Sequence, residues 1–130
     1  MVTNEIRNAL KQAITELSIA EFELNRPHED VVTMSVCYSA RHSLVTMLRL
    51  FLMSNDVDQS KGNTLKELLN QCISIDNQFS KIAISEILCN ELDHEACDGK
   101  YCLTVDKVNE CVTVANQFKT LVLEKLKINE

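Results

Sequence analysis

From Val31 to Asn55 the chain reads VVTMSVCYSARHSLVTMLRLFLMSN, 25 residues without a glycine or a proline. At ~1.5 Å per residue such a segment makes a helical rod of roughly 38 Å. Met34, Cys37, Tyr38, Leu44, Val45, Leu48, Phe51 and Leu52 form a broad apolar stripe, and Met47, Leu50 and Met53 extend it onto a second face. A helix that is apolar on more than one side touches more than one neighbour. The excess therefore asks for a covered surface beyond the internal core, and a homodimer would supply it.

On the N-terminal side, Ile6, Leu10, Ala13, Leu17, Ala20 and Leu24 recur at three- and four-residue steps, with Lys11, Glu16, Glu21 and Glu23 off the stripe. This predicts an amphipathic helix over residues 4–24. It ends at Asn25-Arg26-Pro27, because the residue before proline is driven out of the α region and proline cannot donate to the preceding turn. The long helix then starts around Glu29 or Asp30.

On the C-terminal side, NDVDQSKGN (residues 55–63) reads as a polar loop, and Thr64 and Glu67 stand at capping-box spacing at the start of a third helix. Leu65, Leu68, Leu69, Cys72 and Ile73 supply its buried side. Asp76-Asn77 offers a break before a segment with Phe79, Ile82, Ala83, Ile87 and Leu88, so this region is one bent helix or two. Residues 93–103, DHEACDGKYCL, lack a period and read as a loop. Thr104 caps a last helix with Val105, Val108, Val112, Ala115, Phe118, Val122 and Leu126 on the beat.

Only two glycines, Gly62 and Gly99, and one proline, Pro27, punctuate 130 residues, too few for the frequent turns of a β-sandwich or barrel. Residues 1–130 are thus expected to form a single all-α domain, an antiparallel up-and-down bundle of four to five helices. With 13 Lys and Arg against 19 Asp and Glu, the net charge of −6 disfavours nonspecific nucleic-acid binding. No apolar run is long enough to span a membrane. MVTNEIRNALKQ has acids and amides where a secretory signal has a basic flank and an apolar run, so the expected location is the cytoplasm, with the six cysteines as free thiols.

The order of segments carries a resemblance. A first helix around SIAEFEL is followed by a long second helix containing VCYSARHSLVTMLRLFLMSND and by a helix opening with GNTLKELLNQC. A loop with Lys100 and Tyr101 then leads into TVDKVNECVTVANQF. Over nearly the whole chain this resembles the HEPN (higher eukaryotes and prokaryotes nucleotide-binding) domain. The resemblance implies an up-and-down four- or five-helix bundle, commonly homodimeric and often paired with a minimal nucleotidyltransferase as toxin and antitoxin. Active members are implied to be metal-independent ribonucleases whose signature is an arginine followed, after four to six residues, by a histidine. There an arginine stabilises the developing phosphorane charge while a histidine moves the proton. Here Arg7, Arg26, Arg41 and Arg49 have no histidine at that distance. The chain departs from the active pattern at its defining residues, so no catalytic residue is assigned.

Ser35, Ser39, His42, Thr46 and Arg49 fall along one polar stripe of the long helix. Read plainly, the stripe is the solvated face that any amphipathic helix carries. Read functionally, Ser39, His42, Thr46 and Arg49, with Lys100 and Tyr101, line a ligand-binding or dimer cleft. Cys89, His94, Cys97, Cys102 and Cys111 concentrate metal-ligand chemistry, but they lack paired Cys-x2-Cys knuckles, so no metal or other cofactor is expected. The expected function is a non-catalytic, HEPN-like dimeric binding module for a nucleotide or a minimal nucleotidyltransferase. The alternatives are a HEPN-type ribonuclease toxin using His42 and Arg49, and an unrelated helical scaffold.

Overall fold

A computed structural model of the chain describes residues 2–27, 33–57, 65–82 and 105–127, and these are all helix, turn or cap, with no strand. Four α-helices result: α1 (Asn4–Leu24), α2 (Thr33–Ser54), α3 (Leu65–Ile75) and α4 (Val105–Leu126), with a short 3₁₀ segment (Asn77–Lys81) after α3. The proposed caps Thr64 and Thr104, both glycines, the side chain of Met34, residues 83–92 and the loop at 93–103 lie outside the described residues.

Thr3 begins α1: its backbone is extended and its side chain accepts the Ile6 N–H at 3.1 Å, satisfying one of the donors a helix start leaves open. Glu5 sits in the first turn, where the helix dipole favours an acid. At the other end Asn25 donates its backbone N–H and its side-chain amide to the Glu21 carbonyl, and Pro27 follows. The expected stripe of α1 is buried from Ile6 to Ala20, with Leu24 half-buried against the core.

α2 is the central helix and packs on α1, α3 and α4. This accounts for its apolar excess: Met47 and Leu50 are buried within the single chain, while Met53 and Tyr38 stay exposed. The excess on α2 thus gives less support to a second copy than the sequence reading drew from it. α2 ends without glycine. Asp56 adopts the left-handed conformation (φ 60°), so that its N–H reaches the Met53 carbonyl and the Val57 N–H reaches that of Leu52. Lys127 does the same after α4 (φ 57°).

The break at Asp76-Asn77 is real. Asp76 leaves the helical conformation and accepts the Gln78 N–H at 3.0 Å, which ends α3 and starts the 3₁₀ segment; Ile82 is extended, so that segment ends there too. Its anchor is Phe79, fully buried, with its ring 4.7 Å from Phe51 of α2 and 6.2 Å from Phe118 of α4.

Helix directions follow from which ends meet. Ser43 pairs with Ala13 and His42 with Glu16, while Val2 shares a hollow with Phe51 and Ser54. Residue numbers rise on α1 as they fall on α2, so the two are antiparallel. Lys125 and Leu126 border the same hollow, so α4 runs with α2 and against α1. Ile75 and Asp76, at the end of α3, come to this end as well. Three helix C-termini converge there, so α3, whose Cys72 meets Leu48 and whose end meets the end of α2, runs with α2 where a strict up-and-down order would set it against α2. Lys125 Nζ bonds Asp76 Oδ2 at 2.9 Å across this end. A cation in the last turn of α4 is also favoured by the dipole.

That pair makes the first prediction. The hydrogen bond from Lys125, and after it the one from the Gln78 N–H, hold the Asp76 carboxyl below its ordinary 3.8. A carboxylate depressed in the folded state stabilises fully above its unfolded value, and that contribution is lost as pH falls through the folded one. Asp76→Asn, which preserves a capping side chain, should therefore lower the urea midpoint at pH 7. The gap to the parent should begin to narrow below about pH 4 and go on narrowing as pH falls through the depressed folded value; a gap of constant size from about pH 7 down through the acid limb would contradict it.

Candidate functional site

Ala9 and Ala13 present only methyl groups where α1 approaches α2. The helices come close enough at this point for the buried Ser43 hydroxyl to donate to the Ala13 carbonyl at 2.7 Å. Beside that contact, larger side chains stand up on either side: Gln12, Thr15, Glu16 and Ile19 from α1, His42 and Thr46 from α2. They enclose an open groove of about 610 Å³ with Lys11 at its rim.

The chemical centre of the groove is a pair. His42 Nδ1 lies 2.7 Å from Glu16 Oε1, with 55% and 27% of the two side chains exposed. Since a carboxylate only accepts, Nδ1 carries the proton. The remaining ring nitrogen, Nε2, accepts when the ring is neutral and donates when it is charged. Tyr38, one turn back on α2, stacks on the imidazole with ring centres 5.6 Å apart and planes within 11°. The ring is thus fixed at one edge and one face. A histidine oriented by a carboxylate can bind a polar ligand or shuttle a proton. Thr15, the hydroxyl across the groove, spends its own proton on the Lys11 carbonyl at 2.9 Å.

Of the residues singled out in the sequence, His42 and Thr46 line the groove. Ser39 is half-buried on α2 and does not border the groove, and Arg49 is exposed two turns beyond His42, ~10.5 Å along the axis. Lys100 and Tyr101 lie outside the described residues, as do Cys89, His94, Cys97 and Cys102. Cys111 is buried in α4, and the described residues hold no group of three or more side chains able to bind a metal ion. Among the described residues no helix is long and apolar enough to cross a membrane.

Glu16, Gln12, Thr15 and Ile19 were not anticipated. Glu16 reads as one more solvated acid until α2 is laid against it, 26 residues away. Ile19 did carry a signal, since with Phe22 it forms an apolar i, i+3 pair off the buried stripe. No protein-family model matches the chain, and no curated protein or solved structure shows significant similarity to it.

Proposed function

We propose that the chain is a HEPN-like, non-catalytic helical binding module that works as a homodimer, with the α1/α2 groove around His42 as its binding element. Its partners are those the resemblance implies, a nucleotide or a minimal nucleotidyltransferase. The single observation that carries the reading is the His42–Glu16 pair on the wall of an open groove, with Thr46, Thr15 and Gln12 as further polar contacts. The order of helical segments along the sequence is what supports the HEPN part of the reading, while the direction of α3 departs from an up-and-down bundle. The ribonuclease alternative gains nothing from the geometry: Glu16 engages His42, and Arg49 lies two turns away rather than beside the same phosphate position.

The test is a thermal-shift titration with purine and pyrimidine nucleotides beside an RNA-cleavage assay. A ligand at about 100 times its Kd should stabilise the protein by ~2.7 kcal/mol, and His42→Ala should abolish that rise in Tm. No response to any nucleotide would remove the nucleotide half of the reading. RNA cleavage lost in His42→Ala would replace the reading with the enzymatic one.

A further inference from the structure

The molecule has four phenylalanines and no tryptophan. Phe51, Phe79 and Phe118 form the aromatic row of the core, whereas Phe22 is 78% exposed. Ile19, one turn before it on α1, is 62% exposed, and Tyr38 on α2 is 50% exposed. Glu16 meets His42, and on antiparallel helices three residues forward on α1 and four back on α2 bring Ile19 level with Tyr38. Ile19 and Tyr38 thus stand level at one end of the groove face, and Phe22, seven residues after the groove-lining Thr15, continues the same side of α1.

The charges of this face are sorted by helix. α2, Thr33–Ser54, contains Arg41, His42 and Arg49 and no acid at all. α1 contains Glu5, Glu16, Glu21 and Glu23 against Arg7 and Lys11. Helical periodicity puts Glu5 and Glu16 on the edge toward α2, Lys11 at the outer rim of α1, and His42 and Arg49 on the outward side of α2, so along the seam between the helices α1 is acidic and α2 basic. A face with an acidic half and a basic half cannot match a partner of one sign. It matches itself after a half-turn about an axis running along the groove, because that operation lays the α1 half of one copy over the α2 half of the other.

We propose that the α1/α2 face is a self-complementary interface closed by a second copy of this chain about such an axis. It rests on the homodimer reading above and specifies the surface: the groove becomes the seam between two copies, which leaves room for a nucleotide there and none for a nucleotidyltransferase. α1 of the second copy then runs against α2 in the same sense as α1 of the first. Ile19 and Phe22 of each copy come over Tyr38 of the other, Glu16 comes level with His42, and Glu5 within a turn of Arg49. The exposed area of the three apolar side chains is roughly 350 Å² per copy, scaled from their full burial of ~150–250 Å² each. A stable half-interface of ~800 Å² carries ~450 Å² of apolar area, so this cluster supplies most of what is needed.

The test is sedimentation equilibrium on the full chain. The parent should be dimeric at micromolar concentration. Phe22→Asp should weaken the dimer at least about a hundredfold and the neutral Phe22→Gln about thirtyfold, the scale of an aromatic anchor counted at a two-fold interface. Helicity by circular dichroism should be unchanged in both, since Phe22 lies outside the core. Glu5→Arg and Arg49→Glu should each weaken association, and the two together should restore it, which an interface that keeps Glu5 away from Arg49 would not produce. A dimer untouched by Phe22→Asp and Phe22→Gln overturns this surface while leaving the homodimer reading standing. A parent chain that stays monomeric at 100 μM, ~100-fold above the micromolar range, overturns both and leaves the face to a partner of different sequence.

Discussion

Replacing Phe79 with alanine is expected to cost about 3–5 kcal/mol of folding stability, out of a total on the order of 5–15 kcal/mol for a domain of this size. Phe79 is fully buried, and its ring is the link between Phe51 and Phe118. The 3₁₀ segment that carries it is five residues long, too short to hold itself in place by its own hydrogen bonds. The ring therefore does two things at once: it fills the space between α2 and α4, and it pins the chain leaving α3 to the core. Truncation leaves a void flanked by two aromatic rings and releases that pin. Urea denaturation of Phe79→Ala beside Phe79→Leu measures it, with leucine expected to recover a substantial part of the loss. A cost under about 1 kcal/mol, well below the usual range for such truncations, would mean that the 3₁₀ segment closes the void by collapse and is not an anchor.

The second large effect is expected from the opposite change, an added volume. Ala13 is buried where α1 meets α2, and its carbonyl receives the Ser43 hydroxyl at 2.7 Å. A leucine there must push against α2 or crowd the groove that Ala13 borders. Overpacking costs about 1–3 kcal/mol, and pushing the helices apart also strands the Ser43 hydroxyl in the core for about another 1–3 kcal/mol. Ala13→Leu should thus lose roughly 2–6 kcal/mol, while Ser43→Ala, which removes only the hydrogen bond, should lose about 1 kcal/mol. The insertion also acts on function, because Ala13 and the His42–Glu16 pair border the same groove. Any ligand response that depends on His42 should weaken in Ala13→Leu even at temperatures where the protein remains folded. Unchanged stability in a denaturant titration would show that the helices do not pack so closely.

The helices were legible because their evidence is local. The three- and four-residue rhythm of Ile6 through Ala20 needs nothing beyond its own segment, and neither does the stop at Asn25-Arg26-Pro27. Asp76 announced a break through its capping chemistry, and the chain does leave the helix there. What was not legible depends on which helices meet. Met47 and Leu50 looked like surplus apolar surface on α2 until α2 proved to be the central helix, packed against three others. The groove was half legible: His42 and Thr46 announced a polar stripe, but their partner Glu16 sits on a different helix and differs in no local way from Glu21 or Glu23. Ile19 and Phe22 broke the polar side of α1, a departure visible in the letters whose meaning required knowing how far out they stand.

Among the described residues three buried cysteines stand outside any disulfide, and each belongs to a different helix: Cys37 to α2, Cys72 to α3 and Cys111 to α4. Burial pushes the Cys72 thiol up to about 12, and its sulfur lies 3.8 Å from the Leu48 carbonyl. A thiol in that position reacts with an alkylating reagent only after its surroundings have opened. The molecule thus contains its own stopwatches. Labelling rates resolved by peptide mass would time the opening of α2, α3 and α4 separately, and any copy or ligand that closes the α1/α2 groove would slow the clock on α2.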